Sequence, residues 1–225
     1  AKSVTEGILL TVNVSATDAA GQTIILTTST RPTGAVFVDN GNGTGTLSWT
    51  PGYTQAGSYS LTFYASDGGS IDSELVAITV IEAGNQAPVL SPIGSQNTTE
   101  GALLSFTVTA VDPDATVPTL YTSALPTGAT FVNNLNGTGT FSWTPGFTQA
   151  GNYNVTFYAG DGSLTDNEVV TITVNDAGNQ APVLNPIGAR STTENVLLTF
   201  SVSASDPDGT IPNLYTSTLP SSATF

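Results

Sequence analysis

The sequence contains no cysteine and no histidine. Without cysteine there are no disulfide staples and no thiolate metal sites. Without histidine the usual general base, imidazole ligand and neutral-pH switch are missing. Basic residues are scarce as well: three Lys and Arg stand against 17 Asp and Glu, a formal charge of −14. A surface of that sign repels phosphate backbones, which argues against nucleic acid as a partner, and it disfavours anionic membranes for the same reason. No stretch approaches the roughly 20 apolar residues of a membrane-spanning helix. No basic segment followed by an apolar one opens the chain, so a secretory signal is expected to be removed or to lie outside these residues. One Lys and two Arg leave nothing from which a nucleophile–base pair or a phosphate site could be assembled. Asp112 and Asp114 stand in no recognisable glycosidase motif. The chain is therefore expected not to be an enzyme.

What remains is 39% hydrophobic and only 9% charged, so the surface is mostly Thr, Ser, Asn and Gly. These residues are organised by a repeat. Ala-Gly-Asn-Gln-Ala-Pro-Val-Leu starts at Ala83 and again at Ala177, a spacing of 177 − 83 = 94. Trp49 and Trp143 differ by the same 94, as do Phe37, Phe131 and Phe225. That period is too long for a solenoid unit and matches the roughly 100 residues of an Ig-type sandwich. It divides the chain into 1–83, a repeat lacking its first strand; 84–177, a complete repeat; and 178–225, the N-terminal half of a third. Neither partial repeat is expected to close a core alone, and the chain reads as a segment of a longer array.

Within one period the pattern is all β. Leu104, Phe106, Val108 and Ala110 alternate with Ser105, Thr107 and Thr109, the two-residue period of a half-buried strand. Tyr153, Val155, Phe157 and Ala159 mark another strand, Val170, Ile172 and Val174 the last, and Phe141 and Trp143 share one face of a fourth. Gly, Pro, Asn and Asp clusters punctuate these runs. The expected fold is a tandem of Ig-like or cadherin-like antiparallel β-sandwiches. Phe106, Val108, Trp143, Val155, Phe157, Ile172 and Val174 should lie inside the complete copy, and Trp49 and Trp143 are core residues and not sugar platforms.

Pro-Val-Leu-Ser-Pro-Ile-Gly (88–94), Thr-Glu-Gly (99–101), Asp-Pro-Asp (112–114), Leu-Pro-Thr-Gly-Ala-Thr-Phe (125–131), Phe-Ser-Trp-Thr-Pro (141–145), Gln-Ala-Gly-Asn-Tyr (149–153) and Asp-Gly (161–162) occur in order. In this respect the chain resembles the dystroglycan-type cadherin-like, or "putative Ig", repeats of bacterial and archaeal surface proteins. The resemblance implies the fold. It leaves function open, since such domains serve as spacers, adhesion modules and accessory domains alike.

It also points to calcium. In an Ig-type topology Glu6 and the linker residues Glu82 and Asn85 should approach Asp112, Asp114 and Asp161. The linker Asp176-Ala-Gly-Asn179-Gln180-Ala-Pro resembles the cadherin linker and sets Glu100, Asp176, Asn179, Asp206 and Asp208 as a second group. Calcium takes six to eight oxygens, which two such groups would supply. This chain departs from the cadherin pattern in having the acid-free Thr-Pro-Gly-Phe-Thr-Gln-Ala-Gly near strand E, and in the first copy Asp18-Ala19-Ala20 replaces Asp-Pro-Asp. The alternative reading is that these acids are solvated turn formers.

Glycosylation sequons occur at Asn13, Asn42, Asn97, Asn136 and Asn154. Asn42-Gly43 and Asn136-Gly137 are equally hairpin-turn signals. Together these features predict a repeat segment of an extracellular filament or cell-surface stalk or adhesin. Its partners would be further repeats of the same chain or neighbouring identical protomers. A binding or spacer module is the alternative, either in homophilic adhesion or as an accessory domain of a secreted carbohydrate-active enzyme.

Overall fold

The computed structural model describes residues 1–225 and contains strands and turns with no helix. The first repeat forms β1 (Lys2–Thr5), β2 (Leu10–Ser15), β3 (Ile25–Thr28), β4 (Val36–Asp39), β5 (Thr44–Trp49), β6 (Gly57–Ser66) and β7 (Ile71–Ile81). The second forms β8 (Val89–Leu90), β9 (Gln96–Thr99), β10 (Leu104–Val111), β11 (Thr119–Thr122), β12 (Thr130–Asn133), β13 (Thr138–Trp143), β14 (Gly151–Gly160) and β15 (Thr165–Asn175). The third contributes only the short pair β16 (Val183–Leu184) and β17 (Ala204–Ser205).

Each of the first two repeats is a sandwich of two sheets. In the first, β1-β7-β6-β3 faces β2-β5-β4; in the second, β11-β14-β15-β9 faces β12-β13-β10-β8. The sheets are antiparallel except at one edge of each sandwich. There β1 runs parallel to β7, and β9 parallel to β15. The parallel pairs matter below, because they deliver Glu6 and Glu100 to the end of the last strand of their own repeat.

Strand parity decides the core. Leu47, Trp49, Leu61 and Ile78 are buried in the first repeat, and Phe141, Trp143, Val155, Phe157 and Ile172 in the second. Phe106 is half-buried, stacked on Phe141 with centroids 4.9 Å apart. Each Trp meets a Tyr edge-on, Trp49 with Tyr59 and Trp143 with Tyr153, both at 4.9 Å and 83°. Each indole N–H donates to a backbone carbonyl, Thr33 or Thr127, so the one polar atom of the ring is satisfied inside the core. The first repeat thus encloses a buried cluster, from Val4 and Leu10 through Trp49 to Val80. This corrects the expectation that it closes no core: seven strands already cover both faces. In the third repeat Leu197 and Tyr215 are 89% exposed, because two residues per strand cover almost nothing.

Glycine inside β5 and β13 has a packing reason. A Cβ on Gly45 would lie 2.6 Å from the Phe37 ring, and one on Gly139 would lie 2.3 Å from the Phe131 ring. The ring of the neighbouring strand occupies the place of the missing side chain.

By its contacts the chain divides into two compact units. One holds Ala1–Val89, Ala110–Pro118 and Gly160–Asp166; the other holds the remainder. The first linker and the Asp112 and Asp161 turns therefore belong to one unit.

Candidate functional site

The carboxylates singled out as candidate ligands lie at the two linkers; all but Glu82, which stands beside the Glu6 carboxyl, accept from protein N–H or O–H groups. Glu6 follows β1, whose ladder continues through the Glu6 N–H to the Ile81 carbonyl at 3.0 Å. The next residue, Gly7, has φ of 73°, and a Cβ there would sit 2.8 Å from the Tyr53 hydroxyl. The Thr-Glu-Gly turn is thereby folded inward, and Glu6 is only 2% exposed. Its Oε1 accepts from the Gln55 N–H at 2.7 Å and its Oε2 from the Ala83 N–H at 3.3 Å. Burial alone would raise the pKa of Glu6; the N–H groups of Ala83, Gln55 and Ala56, with the Glu82 carboxyl alongside, outweigh it and hold the value below the ordinary one.

Farther along the same linker, Asn85 donates to Asp161 Oδ2 at 2.8 Å, and the Gln86 N–H donates to Asp114 Oδ2. Asp161 Oδ1 accepts from the N–H groups of Ser163 and Leu164 at 2.6 and 2.7 Å. The Leu164 N–H, then the Asn85 amide and the Ser163 N–H, hold its pKa below the usual carboxylate value. Asp112 accepts from the Asp114 N–H and the Thr116 hydroxyl, both at 2.8 Å.

The second linker repeats the arrangement. Glu100 is 6% exposed; its Oε1 accepts from the N–H groups of Gln149 and Ala150 at 2.8 and 2.7 Å, and its Oε2 from Ala177 at 3.2 Å. Asp208 accepts from the Gln180 N–H, Asp206 from the Asp208 N–H at 2.9 Å, and Asp176 from the Gly178 N–H at 2.7 Å. Asn179 donates to the Gln180 carbonyl at 3.0 Å. Glu100, Asp176, Asn179 and Asp208 line one open depression beside Phe147 and Thr148.

The fit to calcium is poor on this geometry. No three acidic side chains converge closely enough to hold an ion. Several of their oxygens already accept from backbone or side-chain N–H groups. The arrangement instead ties each linker by hydrogen bonds to its own acidic residues.

All five sequon asparagines are exposed. Asn42 and Asn136 are engaged in their turns, each accepting from the N–H and hydroxyl of the sequon threonine, Thr44 or Thr138. Asn13 and Asn154 accept from cross-strand threonines, Thr46 at 3.2 Å and Thr171 at 2.9 Å.

Sequence reasoning missed the role of Gln55 and Gln149. Each closes its own turn, Oε1 accepting from Gly52 or Gly146 at 2.8 Å, while its backbone N–H serves the buried glutamate. Glu168 was also passed over; it accepts from the N–H groups of Ile93 and Gly94, both at 2.8 Å. The available signal was the recurrence of the Gln at the fixed spacing.

The fold defines a tandem of Ig-like β-sandwich domains. Residues 87–175 match the family model described as Putative Ig domain, and residues 1–79 that described as Bacterial Ig domain. The chain is 30% identical over 155 residues to Chitinase A of Pseudoalteromonas piscicida, covering 68% of this chain and 19% of that protein. The chain thus spans about a fifth of that relative's length. Among solved structures it is similar to an endo-fucoidan hydrolase of glycoside hydrolase family 107, with TM-score 0.39 and 22% identity, covering 78% of this chain and 28% of that one. It is also similar to the titin Ig tandem A164-A165, with TM-score 0.36 and 12% identity, covering 78% and 93%.

Proposed function

We propose that this chain is a non-catalytic spacer segment of an extracellular or surface-borne protein, in which successive Ig-like domains hold other parts of the protein in place. The observation that carries this reading is the repetition of the linker hydrogen bonds. Ala83 and Gln86 in the first linker, and Ala177 and Gln180 in the second, each give their N–H to a carboxylate. A plain tether would leave those amides to water. Further repeats of the same chain, or identical neighbours in a filament or stalk, are the partners such a segment would have.

Amide hydrogen exchange on the full chain tests this. The four linker amides should exchange markedly slower than unstructured peptide, as hydrogen-bonded amides of a folded unit do. Exchange at the unprotected rate would make the linkers flexible tethers and defeat the reading.

The similarity to a chitinase favours a second reading, an accessory module of a secreted carbohydrate-active enzyme. It shares the spacer role and adds the context of a polysaccharide outside the cell.

A further inference from the structure

The outer face of the β11-β14-β15-β9 sheet carries no charge and, unlike its counterpart in the first repeat, a stacked pair of tyrosines. Leu120, Val155, Phe157, Ile172 and Val174 point into the core. The alternate positions therefore point outward, and between 97–99, 119–121, 152–158 and 167–175 they are Thr, Asn, Tyr and a single Val. None is charged, although the chain carries a formal charge of −14.

Two tyrosines stand on this face. Tyr121 and Tyr158 stack with ring centroids 4.9 Å apart and planes 8° from parallel. Tyr121 lies on the edge strand and is 45% exposed. One of its ring faces rests on Tyr158. Thr156 and Asn154 follow on the same side of β14, with Asn154 already aligned by the Thr171 hydroxyl at 2.9 Å. In the first repeat Thr27 stands opposite Tyr64 where the second has its tyrosine pair.

A pyranose ring offers a C–H face to an aromatic ring and a rim of hydroxyls to amides and hydroxyls. Tyr, Thr and Asn provide that combination, and tyrosine does so with little side-chain entropy to lose. Charge settles which glycans fit. The field of a strongly acidic chain repels a polyanion such as a sulfated polysaccharide, while a face without charges carries no penalty against a neutral one.

We propose that this face of the second repeat binds a neutral polysaccharide chain, with a sugar ring stacked on Tyr121 and neighbouring hydroxyls bonded to Thr156 and Asn154. This goes beyond the spacer role and does not depend on it, since linker exchange and glycan binding are separate measurements.

The test is affinity electrophoresis of the full chain through gels containing glycol chitin, hydroxyethylcellulose, a neutral mannan or sulfated dextran. Retardation by at least one neutral polymer and none by the sulfated one is expected. Tyr121→Ala should weaken retardation about tenfold, Tyr121→Phe should keep most of it, and Thr107→Ala on the opposite sheet should leave it unchanged. Thermal unfolding of each variant confirms that it folds; if Tyr121→Ala fails to fold, Tyr158→Ala and Asn154→Ala are read in its place. No retardation by any neutral polymer overturns the proposal. So does equal retardation of wild type and the face variants, or retardation by sulfated dextran alone.

Discussion

The carboxylate of Glu100 accepts a hydrogen bond from the backbone N–H of Ala177, 77 positions farther along the chain, as Glu6 does from Ala83. The same oxygen pair also takes the N–H groups of Gln149 and Ala150. One buried side chain thus joins the first turn of the repeat, the loop after its tryptophan strand and the linker that leaves it. Replacing Glu100 with Ala removes the acceptor of three amide donors. The expected cost is about 3 kcal/mol, with Glu100→Gln intermediate because the amide keeps one acceptor oxygen. Guanidinium unfolding of the full chain, followed through the tryptophans, measures both. Equal stability of wild type and Glu100→Ala would mean these bonds contribute nothing.

Acid should act on the first repeat and its linker through the same chemistry. Glu6, Asp39, Asp67 and Asp161 all have folded pKa values held below the ordinary carboxylate values. For Asp39 the N–H groups of Leu26 and Gly41 do this, and for Asp67 those of Ser70 and Gly69. A carboxyl with a depressed folded pKa binds protons more readily when unfolded. Its stabilisation is therefore complete above the unfolded value and is lost as pH falls through the folded one. The thermal midpoint should be flat from neutral pH down to about 5 and fall steeply below about 4. Glu6→Gln should lower the neutral plateau and flatten the acid limb. An acid limb of unchanged slope in that variant would show that Glu6 does not carry the effect.

Much of this fold was legible in the sequence. The 94-residue period and the two-residue parity of Leu47, Trp49, Phe141 and Trp143 led directly to the sandwich and its core. The acids were legible only as acids. Glu6 and Glu100 looked like ligands because a carboxylate reads the same whether it faces a cation or an amide, and a backbone N–H leaves no trace in the sequence. Their burial depended on parallel pairing of β1 with β7 and β9 with β15, which no local pattern announces. The stack of Tyr121 on Tyr158 likewise depended on strand register.

Calcium should have little effect on this chain. Extracellular modules typically bind it at about 10⁻⁴–10⁻³ M using six or more converging oxygens. Here Asp114 and Asp208 already hold the Gln86 and Gln180 amides, and Asp161 holds three donors. Thermal midpoints in excess chelator and in millimolar calcium should agree within error. A saturable rise with calcium, abolished by Asp112→Asn and Asp114→Asn, would show that the carboxylates rearrange around an ion.

The repeats themselves suggest a stabilising change. Leu135 has φ of 60°, the left-handed region that costs a side-chain-bearing residue about 1–2 kcal/mol. The position 94 residues earlier is Gly41, with φ of 71°. Leu135 is 79% exposed, so its side chain contributes almost no burial in return. Ala115 presents the same conflict at φ of 62°, where the first and third copies have Gly21 and Gly209 at 72° and 76°. Glycine relieves the strain in the folded state but gains freedom in the unfolded one, which offsets part of the benefit. Leu135→Gly should therefore raise stability by about 0.5–1 kcal/mol, and Ala115→Gly by a similar amount because the strain arises at the Cβ that both residues carry. The two sites lie in separate turns, so the double variant should show nearly additive gains. Denaturant midpoints of the four proteins decide it. A loss of stability in Leu135→Gly would mean that the Asn-Leu-Asn-Gly turn holds its conformation for a reason other than the repeat's backbone geometry.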